Sequence, residues 1–168
     1  MPDVMREGAS DAPVRILLAH GAGAGMEHAF LCELSRLLAG PDIEVVRFNF
    51  PYMSKRAQDG KRRPPDRQPV LLDHWRQMAQ LFAHPRLFLA GKSMGGRMAA
   101  ELFCEGGDEM DAAGLIVLGY PFHPPAKPDA WRGEVLKQIT TPTLLLQGER
   151  DTFGSLAELA NFPFSPAV

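Results

Sequence analysis

The stretch Arg86-Leu87-Phe88-Leu89-Ala90-Gly91-Lys92-Ser93-Met94-Gly95-Gly96-Arg97 decides how the rest of the chain is read. Five residues, four of them apolar, read as a buried strand, and the apolar-periodic segment Arg97 to Glu105 reads as a helix. Between them lies G-x-S-x-G, with Ser93 at its centre. In a strand-to-helix context this pattern places the serine on a strained turn, with Oγ projecting beyond the sheet. The flanking glycines let strand and helix approach closely. The N-terminal N–H groups of the helix face any negative charge developing there. The plainer alternative is a serine in an ordinary strand–helix turn.

Working outward, four more apolar runs repeat the same grammar: Val14 to Ala19, Glu44 to Phe50, Gly114 to Gly119, and Thr143 to Gln147. Helical spacing follows the first run over Met26 to Ala39, stopped by Gly40-Pro41, and recurs over Val70 to Ala83. Strand–helix alternation of this kind implies parallel strands between helix layers. Near-continuous apolar strands fit a sheet buried on both faces. The expected architecture is a three-layer α/β sandwich with a mainly parallel five-stranded sheet in spatial order 2-1-3-4-5. Residues 1–13 read as a polar N-terminal extension and 14–168 as a single domain.

Composition narrows the function. The chain has 168 residues, 45% hydrophobic and 23% charged, with a formal net charge of −2. That is globular usage, and a near-neutral balance removes bulk electrostatics as a reason to bind nucleic acid or an anionic membrane. No apolar run approaches the roughly 18–20 residues that span a bilayer. Cys32 and Cys104 are too few for a disulfide framework or a metal site, so a reduced, cytoplasmic setting is expected. No metal or organic cofactor is implied. The expected partner is a small-molecule acyl substrate, with no nucleic acid or membrane, and the oligomeric state is open.

A second motif, His20-Gly21-Ala22-Gly23, ends the first strand. Its small residues allow a backbone N–H to face Ser93, so the N–H groups of Ala22 and Met94 are the candidate oxyanion donors. His20 reads as a residue that ties down this turn. A competing reading takes Gly21 to Gly25 as a dinucleotide loop with Glu44 as ribose partner, although its third glycine falls one residue early for G-x-G-x-x-G. Past the last strand, Gln147-Gly148-Glu149-Arg150-Asp151 offers Asp151 as the acid of a Ser…Asp…His order. Its alternative role is a helix cap. Tyr52, Tyr120 and His123 stand near strand ends as candidate pocket walls. Ser54 to Pro69 is rich in Lys and Arg. It reads as either a solvated surface excursion or a basic flap near the site.

The residues Leu17 to Gly23, Phe48-Asn49-Phe50-Pro51-Tyr52, Gly91 to Arg97, Gly119 to Pro125 and Pro142 to Asp151 together resemble the small bacterial α/β-hydrolase-fold family of predicted serine hydrolases. That family is related to the hydrolase-like domain of an animal chromatin-complex regulatory subunit and to a testis-expressed protein. The resemblance runs from about Val14 to Phe162. It implies a hydrolase-type sheet, a serine nucleophile and an acid after the penultimate strand, hence serine-dependent hydrolysis of a small ester or related acyl substrate. Members continue through one more strand to a catalytic histidine. Here the five histidines, His20, His28, His74, His84 and His123, all precede Asp151. Three explanations are open: a C-terminally truncated member, a substitute base in His123, or a non-catalytic interaction module on the same scaffold. Impaired turnover is expected, together with an exposed apolar edge at Thr143 to Gln147.

Overall fold

The computed structural model describes residues 3–106 and 111–168. Strands β1 (Val4–Glu7), β2 (Val14–Ala19), β3 (Ile43–Phe48), β4 (Leu87–Lys92), β5 (Gly114–Leu118) and β6 (Thr143–Leu146) form one sheet in the order β1-β3-β2-β4-β5-β6. The five anticipated strands take the anticipated order, all parallel. The sheet nevertheless has six strands, not five. Val4–Glu7, read from sequence as part of a polar extension, pairs antiparallel with β3 in the register Val4↔Phe48 to Glu7↔Val45. Charge pairs compensate for its lack of an apolar pattern: Arg6 bonds Glu44, and Glu7 bonds Arg47 across the ladder.

Helices α1 (Ala29–Leu38), α2 (Pro51–Asp59), α3 (Gln68–Leu81), α4 (Met94–Gly106), α5 (Val135–Gln138) and α6 (Leu156–Leu159) complete the described elements. Strand alternation sorts the core. On one face Leu17, Val46, Phe48, Leu89, Leu115 and Val117 pack against Trp75 and Met78 of α3 and Met98, Leu102 and Phe103 of α4. On the other, Ile16, Leu18, Val45 and Ala90 pack around Leu31 of α1. This layer thins toward β6, where Leu144 and Leu146 are each 53% exposed. At the start of β6 the C-terminal segment lies alongside, where Thr143 N–H donates to Ala167 O at 2.7 Å.

The basic stretch is half helical. Pro51 opens α2, because its fixed φ and missing N–H cost nothing at a first helical position. Gly60, at φ +70, closes it. The chain returns along Pro64-Pro65-Asp66, where Asp66 Oδ2 accepts from Tyr52 N–H at 2.9 Å. Among the described residues no helix is long and apolar enough to cross a membrane.

Candidate active site

Ser93 sits between the last residue of β4 and the first of α4, at φ +50. It is the one non-glycine residue with positive φ among the described residues. Such a backbone conformation costs an L-residue about 1–2 kcal/mol. Its neighbours hold it there: Ser93 N–H donates to Leu118 O at 3.0 Å, and Ser93 O accepts from Arg97 N–H at 3.0 Å. The glycines are obligatory for closeness rather than for unusual φ. A Cβ on Gly91 would stand 2.3 Å from Gly96 N, and one on Gly95 would stand 2.6 Å from His20 O.

The loop after β2 lies against this turn. A Cβ built on Gly21 would be 3.6 Å from Ser93 Cβ. Tyr52, buried beneath the loop, donates its hydroxyl to Ala22 O at 3.0 Å, and burial first of all pushes its phenol pKa up. His20 is fully buried. Its Nε2 accepts from Phe50 N–H at 3.0 Å, so Nδ1 carries the proton and donates to Gly21 O at 2.7 Å. Burial lowers its pKa to about 4, which keeps the ring neutral and structural. Met94 opens α4, so its N–H has no intrahelical acceptor.

Two cavities share Ser93, Ala22 and Phe153. One, of about 280 Å³, is further lined by Asp66, Gln68, Arg97, Pro121 and Arg132. The other, of about 380 Å³, adds Gly23, His28, Leu31 and Lys92. Tyr52, Tyr120 and His123 line neither, which corrects their assignment as pocket walls. The Tyr52 and Tyr120 rings lie in the core, where Tyr120 donates to Arg132 O at 2.7 Å, and His123 stacks on Trp131 and faces Glu158. Phe153, Arg97 and Arg132 take the wall positions instead. No sequence signal marks them, because the fold gathers them from three separate segments.

Asp151 follows β6 with both carboxylate oxygens engaged. Oδ1 accepts from Phe153 N–H at 2.9 Å and Oδ2 from Gln147 Nε2 at 3.2 Å. Gln147 is the positioning residue that sequence reasoning missed. Its amide also donates to Gly154 O at 3.0 Å and accepts from Tyr120 N–H at 2.7 Å, tying the acid's loop to the end of β5.

Among the described residues none of the five imidazoles is hydrogen-bonded to Ser93 or Asp151. His28 comes nearest, sharing the larger cavity with Ser93. Its Nδ1 accepts from Phe30 N–H at 3.2 Å, capping α1. His123 places its nitrogens 3.1 Å from Pro124 O and 3.0 Å from Glu158 Oε1. His74 donates to Asn49 O at 3.0 Å, and His84 accepts from Arg86 N–H at 3.1 Å, just before β4 on the opposite rim. The dinucleotide reading also ends here. Glu44 is the second residue of β3, away from the glycine loop at the other rim, and Arg6 and Arg15 hold it buried.

A mostly parallel sheet between helices, with a serine on a strained strand-to-helix turn and an acid beyond the last strand, defines the α/β-hydrolase fold. The chain belongs to the alpha/beta hydrolase domain family, whose model matches residues 12–168. Solved structures share the fold at low identity. A serine hydrolase homologue from Coxiella burnetii aligns at 20% identity and a TM-score of 0.65, covering 95% of this chain and 73% of that one. The monoacylglycerol lipase of Paleococcus ferrophilus gives 14% and 0.66, covering 95% and 82%. An esterase of Pyrococcus furiosus gives 14% and 0.62, covering 96% and 75%.

Proposed function

We propose that this chain carries the site of a serine-dependent hydrolase for a small ester or related acyl substrate, with turnover impaired because none of its five histidines bonds Ser93 or Asp151 among the described residues. The carrying observation is Ser93 at φ +50, opening onto two cavities beside the Ala22 loop. Ser93 Oγ adds to the acyl carbonyl. The N–H groups of Ala22 and Met94 receive the oxyanion, and the serine's hydroxyl proton passes to the departing alkoxide, which leaves as the alcohol while the acyl-serine forms; water then cleaves that ester, releasing the acid and restoring the Ser93 hydroxyl. Asp151 takes the acid's place in the Ser…Asp…His order. In serine proteases, loss of one triad member leaves about 10³–10⁴-fold acceleration over water, from the oxyanion hole and binding. Weak turnover on activated esters is the expectation.

That none of the five imidazoles bonds Ser93 or Asp151 among the described residues favours a second reading, a non-catalytic interaction module on the same scaffold. A fluorophosphonate probe separates the two. Covalent labelling of Ser93, abolished in Ser93→Ala, supports the hydrolase; a folded protein that stays unlabelled supports the module. The same proposal places the chain in the cytoplasm, supported by two free cysteines. It includes kinship with the hydrolase-like domain of the animal chromatin-complex subunit, supported by the Gly91 to Arg97 and Gly119 to Pro125 segments.

A further inference from the structure

The smaller cavity beside Ser93 is lined by two arginines, Arg97 and Arg132, and by one acid, Asp66. Arg97 stands one turn of α4 beyond Ser93. Its N–H donates to Ser93 O at 3.0 Å, and both residues line this cavity. Its Nη1 bonds Glu101 Oε1 at 3.3 Å, which leaves Nε and Nη2 without a protein partner among the described residues.

Arg132 reaches the same cavity from the loop after β5. Its backbone is pinned at both ends: N–H donates to Phe122 O at 2.6 Å, and C=O accepts from the buried Tyr120 hydroxyl at 2.7 Å. Gly133 packs against Phe122 and Trp131, which holds the loop close to that cluster. Among the described residues no acid pairs with the Arg132 side chain. The one acid on the cavity wall is Asp66, and one of its oxygens is already bound to Tyr52 N–H. A planar, always-charged fork beside an unpaired pocket matches an oxyanion.

We propose that this cavity selects acyl substrates bearing a carboxylate or phosphate group, with Arg97 and Arg132 as specificity residues. The charged end of the substrate meets the two guanidinium groups while its carbonyl lies at Ser93. At about 280 Å³ the space suits a short chain of succinyl or glutaryl size. The inference rests on Ser93 being the nucleophile, but its test does not need turnover.

The full chain is titrated with glutarate, inorganic phosphate and neutral glutaramide while backbone amide resonances are followed. Glutarate or phosphate shifts the Met94 and Arg132 amides, and glutaramide does not. Binding weakens about fivefold in Arg132→Gln and in Arg97→Gln, and Arg132→Lys recovers part of it. A response to glutarate alone assigns a carboxylate, and a response to phosphate alone a phosphate. Equal shifts with glutaramide, or affinity unchanged in both Gln variants, overturn the proposal. Fluorophosphonate labelling is read in parallel. Anion binding without labelling removes the nucleophile reading and keeps the anion site. Labelling without anion binding does the reverse.

Discussion

Replacing Ser93 by glycine and by alanine puts opposite signs on one question, whether this turn is strained. At an ordinary backbone position alanine is the more stable of the two by about 0.4–1 kcal/mol, because glycine has more unfolded freedom to lose. At φ +50 the alanine Cβ retains the strain of about 1–2 kcal/mol that glycine escapes. Taken at mid-range, the difference favours glycine by about 0.8 kcal/mol. Both variants lose the same hydroxyl, which cancels. For a chain of this length that difference is about 1–4 °C in midpoint. Thermal and urea unfolding of the two proteins, run side by side, measure it. Alanine more stable than glycine by half a kcal/mol or more would refute the strained turn, and with it the argument that the sequence motif specifies a projecting hydroxyl.

Gly95→Ala drives a methyl group to 2.6 Å from His20 O and 2.9 Å from Ala19 Cβ. Stability should fall by about 2 kcal/mol or more in urea titration, and Ser93 labelling should fall with it. Tyr52→Phe leaves Ala22 O without its donor, which should cost about 1 kcal/mol and slow fluorophosphonate labelling more than it lowers the midpoint. His20, held near pKa 4 by burial against 6.5 when unfolded, binds its proton more readily in the unfolded chain. Its contribution is therefore complete above pH 6.5 and is lost as the pH falls toward 4, by about 3 kcal/mol in all. The difference in unfolding free energy between the native chain and His20→Gln, measured from pH 7 to pH 4, should shrink across that window; a difference independent of pH would contradict it.

Elements whose stability resides in their own apolar pattern are legible in the sequence. The runs that became β2 to β6 and the helices now seen at Ala29–Leu38 and Gln68–Leu81 are of this kind. Strand β1 is not, because Val4–Glu7 is four residues long and is held by Arg6 and Glu7 reaching partners about 40 positions away. Helix α2 has only Tyr52 and Met53 buried, and its run of Lys, Arg, Gln and Asp hides it. At the site, the Ser93 turn is legible because strand, glycines and helix are contiguous. The walls are not: Tyr120 stands near a strand end yet spends its hydroxyl on Arg132 O, while Arg97 and Arg132, 35 positions apart, meet only in the folded chain.

The carboxamide of Gln147 accepts from Tyr120 N–H, as a neighbouring peptide C=O would, and shares its two amide protons among Tyr120 C=O, Gly154 O and Asp151 Oδ2. A side chain thus imitates one further rung of the ladder between β5 and β6, beyond the point where the backbones part. The same amide nitrogen grips Asp151, so the carboxylate inherits the rigidity of a sheet although it sits on a loop. Shortening this side chain by a single methylene would unlatch that rung and let the acid drift with its loop.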